Sequence, residues 1–209
     1  DTRFEIGLPP IDDGQLLFLM NMVNKMKHNT ELGSRIASVH SGSAIFTGDA
    51  GSGASEIRRY LIENDLIDCV IALPTNIFYN TGIPTYIIFI SNKKSKERNN
   101  KIQLINALSF YERLPKNMGD KNCQMSNNHI DDITKVYLSN TNDGNSKIVD
   151  CDSLGYQSIT VERPLRLSAQ FIDDLIESLR FDNGINKEMQ WTYEKFGKDV
   201  YSKINELKP

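Results

Sequence analysis

The chain has 209 residues, 39% hydrophobic and 24% charged, a soluble globular make-up with room for one well-packed domain and a smaller attachment. Its formal net charge of -3 excludes a general basic field, so any nucleic-acid contact needs a local patch or another subunit. No apolar stretch reaches the roughly 20 residues that span a bilayer, no basic and apolar leader opens the chain, and Cys69, Cys123 and Cys151 are far apart and odd in number; the expectation is a cytoplasmic protein with free thiols and no membrane contact.

The chain opens at Asp1 without a methionine, in a stretch that reads as a loop, so a piece of a longer protein is expected. Pro9-Pro10 exclude helix over residues 1–13, and Asp12 or Asp13 can cap the helix beyond them. "GQLLFLMNMVNKMKHN" carries Leu16, Leu19, Met20, Val23 and Met26 at helical spacing, widened by Leu17, Phe18 and Met22, with Gly33 in its end region. "RIASVHSGSAIF" predicts a strand running into a turn. "GDAGSGASEIRRYLIEND" predicts a glycine-rich loop entering a helix, capped by Ser52 or Ser55, with Ile57, Tyr60 and Leu61 facing the core.

"LIDCVIALP" is almost wholly apolar, as a strand covered on both faces would be. "TYIIFISN" comes after a connection too short for a crossover helix, so the two strands should pair antiparallel. "KIQLINAL" alternates more and predicts an edge strand. "KNMGDKNCQMSNN" reads as a polar loop and "HIDDITKVYLSN" as a short helix. The sequence divides into residues 1–140, a linker over 141–150 centred on "TNDGNSK", and residues 151–209. That last part holds a small extended element, through Ile159, Val161 and Arg163-Pro164-Leu165, and two helical stretches, roughly 169–180 and 186–207. The class is α/β with an antiparallel finish.

Four constellations invite a chemical reading, besides one loop. The "GDAGSGASE" turn sits where a phosphate cradle would, but its spacing matches no phosphate-binding fingerprint, and a surface turn is the simpler account. His28, His40 and His129 stand apart with no cysteine pair at ligand spacing, so no metal site is expected. No Ser-His-Asp set can be assembled; His40-Ser41-Gly42-Ser43 reads as a tight turn. "NKKSKERNNK" offers Lys93, Lys94, Lys96, Arg98 and Lys101, a solvated loop by default and a DNA-backbone contact in the sharper reading.

The loop is in "LPTNIFYNTGIPTYIIFI". Between two apolar strands it places Phe78 and Tyr79, then Asn80, Thr81 and Gly82, with Pro74 and Pro84 stiffening it from either side. Ligands of α/β sheets bind at strand ends, and an aromatic on a rigid loop there can stack on a planar ligand such as a nucleobase. The alternative is that both rings close the end of the core.

The stretch "IASVHSGSAIFTG…GSGASEIRRYLIENDLIDCVIALPTNIFYNTGIPTYIIFISNKK" resembles the modification (M) subunit of type I restriction–modification systems, DNA methyltransferases acting on the N6 amino group of adenine. The resemblance is close over residues 1 to about 110 and looser over 151–168, where "LGYQSITVERPLRL" is similar to a phrase near the C-terminal part of some members. It implies the later half of a class I methyltransferase (Rossmann-like) sheet, with residues 69–74 and 85–91 as an antiparallel hairpin, succeeded by a C-terminal helical tail.

In related adenine methyltransferases the corresponding loop presents an aromatic to the flipped target base. This implies a target-base pocket with Phe78 as the best match, Tyr79 as the fallback and Asn80 and Thr81 shaping it. The family also implies S-adenosylmethionine as cofactor. Its binding motif and the catalytic Asn-Pro-Pro-Phe are absent here; the sole Pro-Pro follows Leu8. No catalytic residue is therefore assigned, and the chain by itself is expected to transfer no methyl groups. The implied partners are DNA, a specificity subunit, a second M subunit and a restriction subunit. Phe171, Ile172, Leu175, Ile176 and Leu179 of the tail are candidates to face such a partner, or simply to cover the sheet. A rival reading is a non-catalytic module that binds nucleic acid or protein.

Overall fold

The computed structural model describes residues 1–162 and 183–197. It contains two units, Asp1–Ile159 and Thr160–Pro209. The first is built on a five-stranded sheet: β1 (Arg35–Ser41), β2 (Ile67–Leu73), β3 (Thr85–Ser91), β4 (Lys101–Asn106) and β7 (Ser146–Asp150), in the spatial order β1-β3-β2-β4-β7. β3 is antiparallel to both β1 and β2, β4 is parallel to β2, and β7 is antiparallel to β4. The antiparallel pairing of β2 with β3 matches the expectation from their short connection.

Helices α1 (Gln15–Asn24) and α3 (Gly53–Glu63) cover one face. Leu16, Leu19, Met20 and Val23 recur at helical spacing and meet Ile57 and Leu61 of α3 over Ile88, Ile90 and Ile102. Phe18, expected to widen that apolar face, is 74% exposed. The one-turn α2 (Ser43–Phe46) comes directly after β1. Helix α4 (Asn127–Ser139) covers the opposite face, where Ile133 packs with Cys69, Ile71, Leu73 and Ile105. β2 serves both cores by alternation, with Val70 in the first and Cys69, Ile71 and Leu73 in the second, and the irregularity between Ile67 and Cys69 puts Ile67 on the first face with Val70.

Three expectations are corrected. β4 is not an edge strand: it lies between β2 and β7, and its polar Gln103, the residue that breaks its apolar run, is buried. The Gln103 amide is satisfied there, donating from Nε2 to the Val136 carbonyl and to Ser146 Oγ at 2.9 Å each. The "polar loop" is a hairpin of β5 (Glu112–Met118) and β6 (Lys121–Gln124), turning at Gly119 with φ of +64°. Pro115 is tolerated in it because a two-stranded ribbon has free edges. The stretch 141–150 is no linker in its second half, because β7 is hydrogen-bonded into the sheet and the compact unit runs on to Ile159.

A short 3-10 turn, Cys151–Leu154, tucks Cys151 into the first core. In the second unit, α5 (Asn183–Phe196) carries Lys195 Nζ 4.7 Å from the centre of the Trp191 ring. Arg163-Pro164-Leu165, the helix expected over 169–180 with Phe171, Ile172, Leu175, Ile176 and Leu179, and the end of the last helical stretch lie outside the described residues. Among the described residues no helix is long and apolar enough to cross a membrane.

Candidate functional site

Strand directions define two ends of the sheet. β1, β2 and β4 all deliver their carboxyl ends to one edge, where β3 and β7 begin. Binding residues of α/β sheets collect at that kind of edge. Here it carries the Pro74–Pro84 loop, the segment after Ala107 and the turn before β7.

The Pro74–Pro84 loop is folded on itself. Asn76 adopts φ of +57°, and Phe78 and Thr81 form an isolated antiparallel bridge. Thr81 Oγ1 accepts the Ile83 N–H at 3.3 Å. Gly82 lies so close to Asn76 that a Cβ on it would stand 3.0 Å from the Asn76 amide nitrogen. The tip is outside the core: Phe78 is 37% exposed and Tyr79 55%, while Asn80 is exposed and Thr81 half-buried. So the four candidate residues of the target-base pocket are neighbours on one accessible loop, and the reading of both rings as core closure fails.

The loop is held from outside by the β5–β6 hairpin, which sequence patterning did not single out. The Asp120 N–H donates to the Tyr79 carbonyl at 3.0 Å, the Asn122 N–H to the Asn76 carbonyl at 3.1 Å, and Asn76 Nδ2 returns a bond to the Asp120 carbonyl at 2.9 Å. The Cys123 thiol donates to the Thr75 carbonyl at 3.2 Å. Gly119 approaches so closely that a Cβ there would lie 2.7 Å from the Tyr79 oxygen. Lys121 Nζ sits 5.0 Å from the centre of the Tyr79 ring, within cation–π range. The available signal in the sequence was the Met-Gly-Asp-Lys turn between two short runs; Pro115 and the polar side chains hid it.

The basic run lies elsewhere. It comes after β3 and therefore occupies the opposite end of the sheet, seven strand residues away, or roughly 20 Å. Two of its candidates are structural, which corrects the expectation that they touch DNA. The Lys94 side chain is 1% exposed and spans to Asp65 Oδ1 at 2.5 Å and the Lys101 carbonyl at 2.9 Å. Arg98, 13% exposed, bonds Asp68 at 3.3 Å, Gln103 Oε1 at 2.7 Å and the Tyr137 carbonyl, with its guanidinium 4.2 Å from the centre of the Tyr137 ring. The Tyr137 hydroxyl donates to Asp68. Burial first, then that bond to a carboxylate, pushes the Tyr137 phenol up to about 12. Lys93 and Lys96 are exposed.

The glycine-rich turn has a packing explanation. Ser52 caps α3 by accepting the Ser55 N–H, and Gly53 meets the backbone of Leu8 so closely that a Cβ would fall 2.0 Å from the Leu8 oxygen. The Leu8 backbone therefore occupies the space at the start of α3, where a phosphate on that helix end would have to sit.

Near the end of β1, Gln15 Nε2 lies 2.8 Å from each of Asp13 Oδ1, Ser41 Oγ and Ser43 Oγ, which share its two hydrogens, and the Ser43 hydroxyl donates to Asp13 at 2.5 Å. That Ser43 bond is the main reason the Asp13 carboxyl titrates below its usual range. His40 is buried, and neither ring nitrogen has a partner among the described residues; burial lowers its pKa, opposed by the Asp13 charge. No serine hydroxyl reaches the imidazole, so the group does not form a nucleophilic triad.

Sheet order, the antiparallel β2–β3 pair and the loop at the carboxyl edge define part of a class I methyltransferase fold. The solved methyltransferase subunit of a type I restriction-modification system from Streptococcus thermophilus is similar over 73% of this chain and 30% of its own, with a TM-score of 0.61 and 28% identity. The family model described as N-6 DNA Methylase matches residues 1–164, and the chain belongs to that family. Relatives include the type I restriction enzyme MjaVIII methylase subunit of Methanocaldococcus jannaschii, 29% identical over 147 residues, or 70% of this chain and 25% of that protein. The HindI methylase subunit of Haemophilus influenzae is 31% identical over 107 residues, 51% of this chain and 22% of that protein. The chain thus spans about a quarter of the length of these relatives. The family implies S-adenosylmethionine as methyl donor.

Proposed function

We propose that this chain is the target-base-holding part of a type I restriction–modification M subunit, an adenine-N6 DNA methyltransferase. In this reading Phe78 stacks on an adenine swung out of the duplex, Tyr79 flanks it, and Asn80 and Thr81 shape the rim. The observation that carries it is an aromatic pair, accessible and locked by a second element, at the carboxyl edge of a methyltransferase sheet. Its chemical contribution is orientation: a held base presents its amino group along one line, which a direct displacement at a sulfonium methyl requires.

The methyl donor and the catalytic motif belong to residues outside this chain, which alone transfers no methyl groups. S-adenosylmethionine titrated into it should give no binding heat, and micromolar affinity would contradict that placement. The names of the relatives, methylase subunits of type I restriction enzymes, support DNA and further subunits as partners, which in this reading are a specificity subunit, a second M subunit and a restriction subunit. Cys69, Cys123 and Cys151 are buried free thiols, in keeping with a reducing cytoplasm.

The test of the base-holding role uses a short DNA duplex with one unpaired 2-aminopurine. Its emission should change on binding, and Phe78→Ala with Tyr79→Ala should abolish that change. An unaltered response in the double variant would refute the stacking role.

A further inference from the structure

Charge on this protein is not where the lysine-rich run of the sequence suggested. Two of the four candidates there are consumed in internal ion pairs, and the whole run lies at the wrong end of the sheet for the aromatic loop. DNA that inserts a base beside Phe78 still has phosphates on both sides of that base, and phosphate contacts set register.

The β5–β6 hairpin supplies cations at the right end. Arg113 is directly opposite Cys123, and Lys121 is two residues before it, so all three side chains leave the same face of the ribbon. That face is turned towards the loop, because the Cys123 thiol bonds the Thr75 carbonyl and Lys121 lies over the Tyr79 ring. The positive charges of Lys121 and Arg113 both reach the Cys123 thiol, where they oppose the upward shift that burial causes. Arg113 is exposed and Lys121 half-buried, and among the described residues no carboxylate pairs with either cation. Arg113 also lines an open recess of about 600 Å³ with Leu108, Ser109 and Tyr111, in the segment that comes after β4 at the same sheet edge.

We infer that Arg113 and Lys121 bind the DNA phosphates flanking the extruded adenine, so that the β5–β6 hairpin both fixes the aromatic loop and seats the backbone next to it. This rests on the target-base reading of Phe78 and Tyr79, but it predicts a separate observable. A phosphate contact is read by salt, whereas a stacked base is read by its own fluorescence.

The experiment measures binding of the whole chain to the 2-aminopurine duplex across a salt series. Each lost phosphate contact should lower the magnitude of the slope of log affinity against log salt by about 0.9 for duplex DNA. Arg113→Ala and Lys121→Ala should each lower it by about that amount, and Lys121→Arg should restore it. Binding that weakens with salt in the same way in both alanine variants as in the unaltered protein would overturn the inference. So would a slope that drops with Lys93→Ala and Lys96→Ala instead, or no salt-dependent binding at all. If the slope falls as expected while the fluorescence change survives loss of Phe78 and Tyr79, the phosphate contacts stand and the base pocket must be sought elsewhere.

Discussion

The Asp120 N–H donates to the Tyr79 carbonyl across 3.0 Å, joining two loops that are separated by three strands and the turns between them. Backbone groups make this bond, so it fixes the path of the chain at Tyr79 and leaves the ring free to face outward. Gly119 makes the approach possible, having neither a Cβ to collide with the Tyr79 oxygen nor a penalty for φ of +64°.

Gly119→Ala should therefore destabilise the protein by about 1–2 kcal/mol from the left-handed backbone alone. The contact at 2.7 Å adds to that and pushes the hairpin off the loop. Urea unfolding reads the first effect. Increased quenching of Tyr79 fluorescence by iodide, in a variant whose other tyrosines are replaced by phenylalanine, reads the second. Normal stability in Gly119→Ala would mean that the hairpin does not clamp the loop.

Phe78→Ala should cost the fold less than the roughly 3–5 kcal/mol of a core phenylalanine, because the ring is 37% exposed and belongs to neither core cluster. Its loss should instead weaken capture of an unpaired base by about 1–3 kcal/mol. Equilibrium titrations with matched and unpaired duplexes separate the two quantities. A large stability loss with unchanged DNA affinity would return Phe78 to the core.

Arg98→Ala strands the Asp68 carboxylate, 9% exposed, beside Tyr137 with its main cation gone. Removing one partner of a buried pair costs about 3–5 kcal/mol. Lys93→Ala, at an exposed position of the same run, should change stability by no more than about 0.5 kcal/mol. Thermal unfolding of the two variants side by side checks the contrast, and equal effects would show that the Arg98 network is not structural.

His40 makes stability depend on pH. Burial holds its folded pKa below the ordinary 6.5, so the unfolded chain binds the proton more readily. Between the folded value and 6.5 the unfolded state carries more protons, and stability rises with pH. The contribution is complete above 6.5 and is lost as pH falls below it. His40→Gln should flatten the unfolding free energy between about pH 5 and 7, a range that starts above the ordinary carboxyl value for Asp13. A curve as steep in the variant would assign the dependence to another group.

The elements with strong periodicity were legible in the sequence. Leu16, Leu19, Met20 and Val23 announce α1, Ile57 and Leu61 announce α3, and the apolar runs of β2 and β3 with a short connection announce their antiparallel pairing. What misled were polar residues with internal partners. Gln103 looked like an edge position because its bonds to Val136 and Ser146 come from elements over 30 residues away. Lys94 and Arg98 looked solvated because Asp65 and Asp68 cannot be matched to them by spacing. The aromatic loop was legible by its own chemistry, but its clamp was not, since every bond that defines it ends on a main-chain carbonyl, which has no side-chain signature.

The docking of the hairpin on Asn76 and Tyr79 also sets when the loop loses its freedom. Ordering a backbone residue costs about 1–2 kcal/mol at room temperature. Here that entropy is surrendered while the protein folds, not when a base arrives. A guest ring then meets a surface already in its bound shape, so capture should be fast and the captured state long-lived for so small a contact.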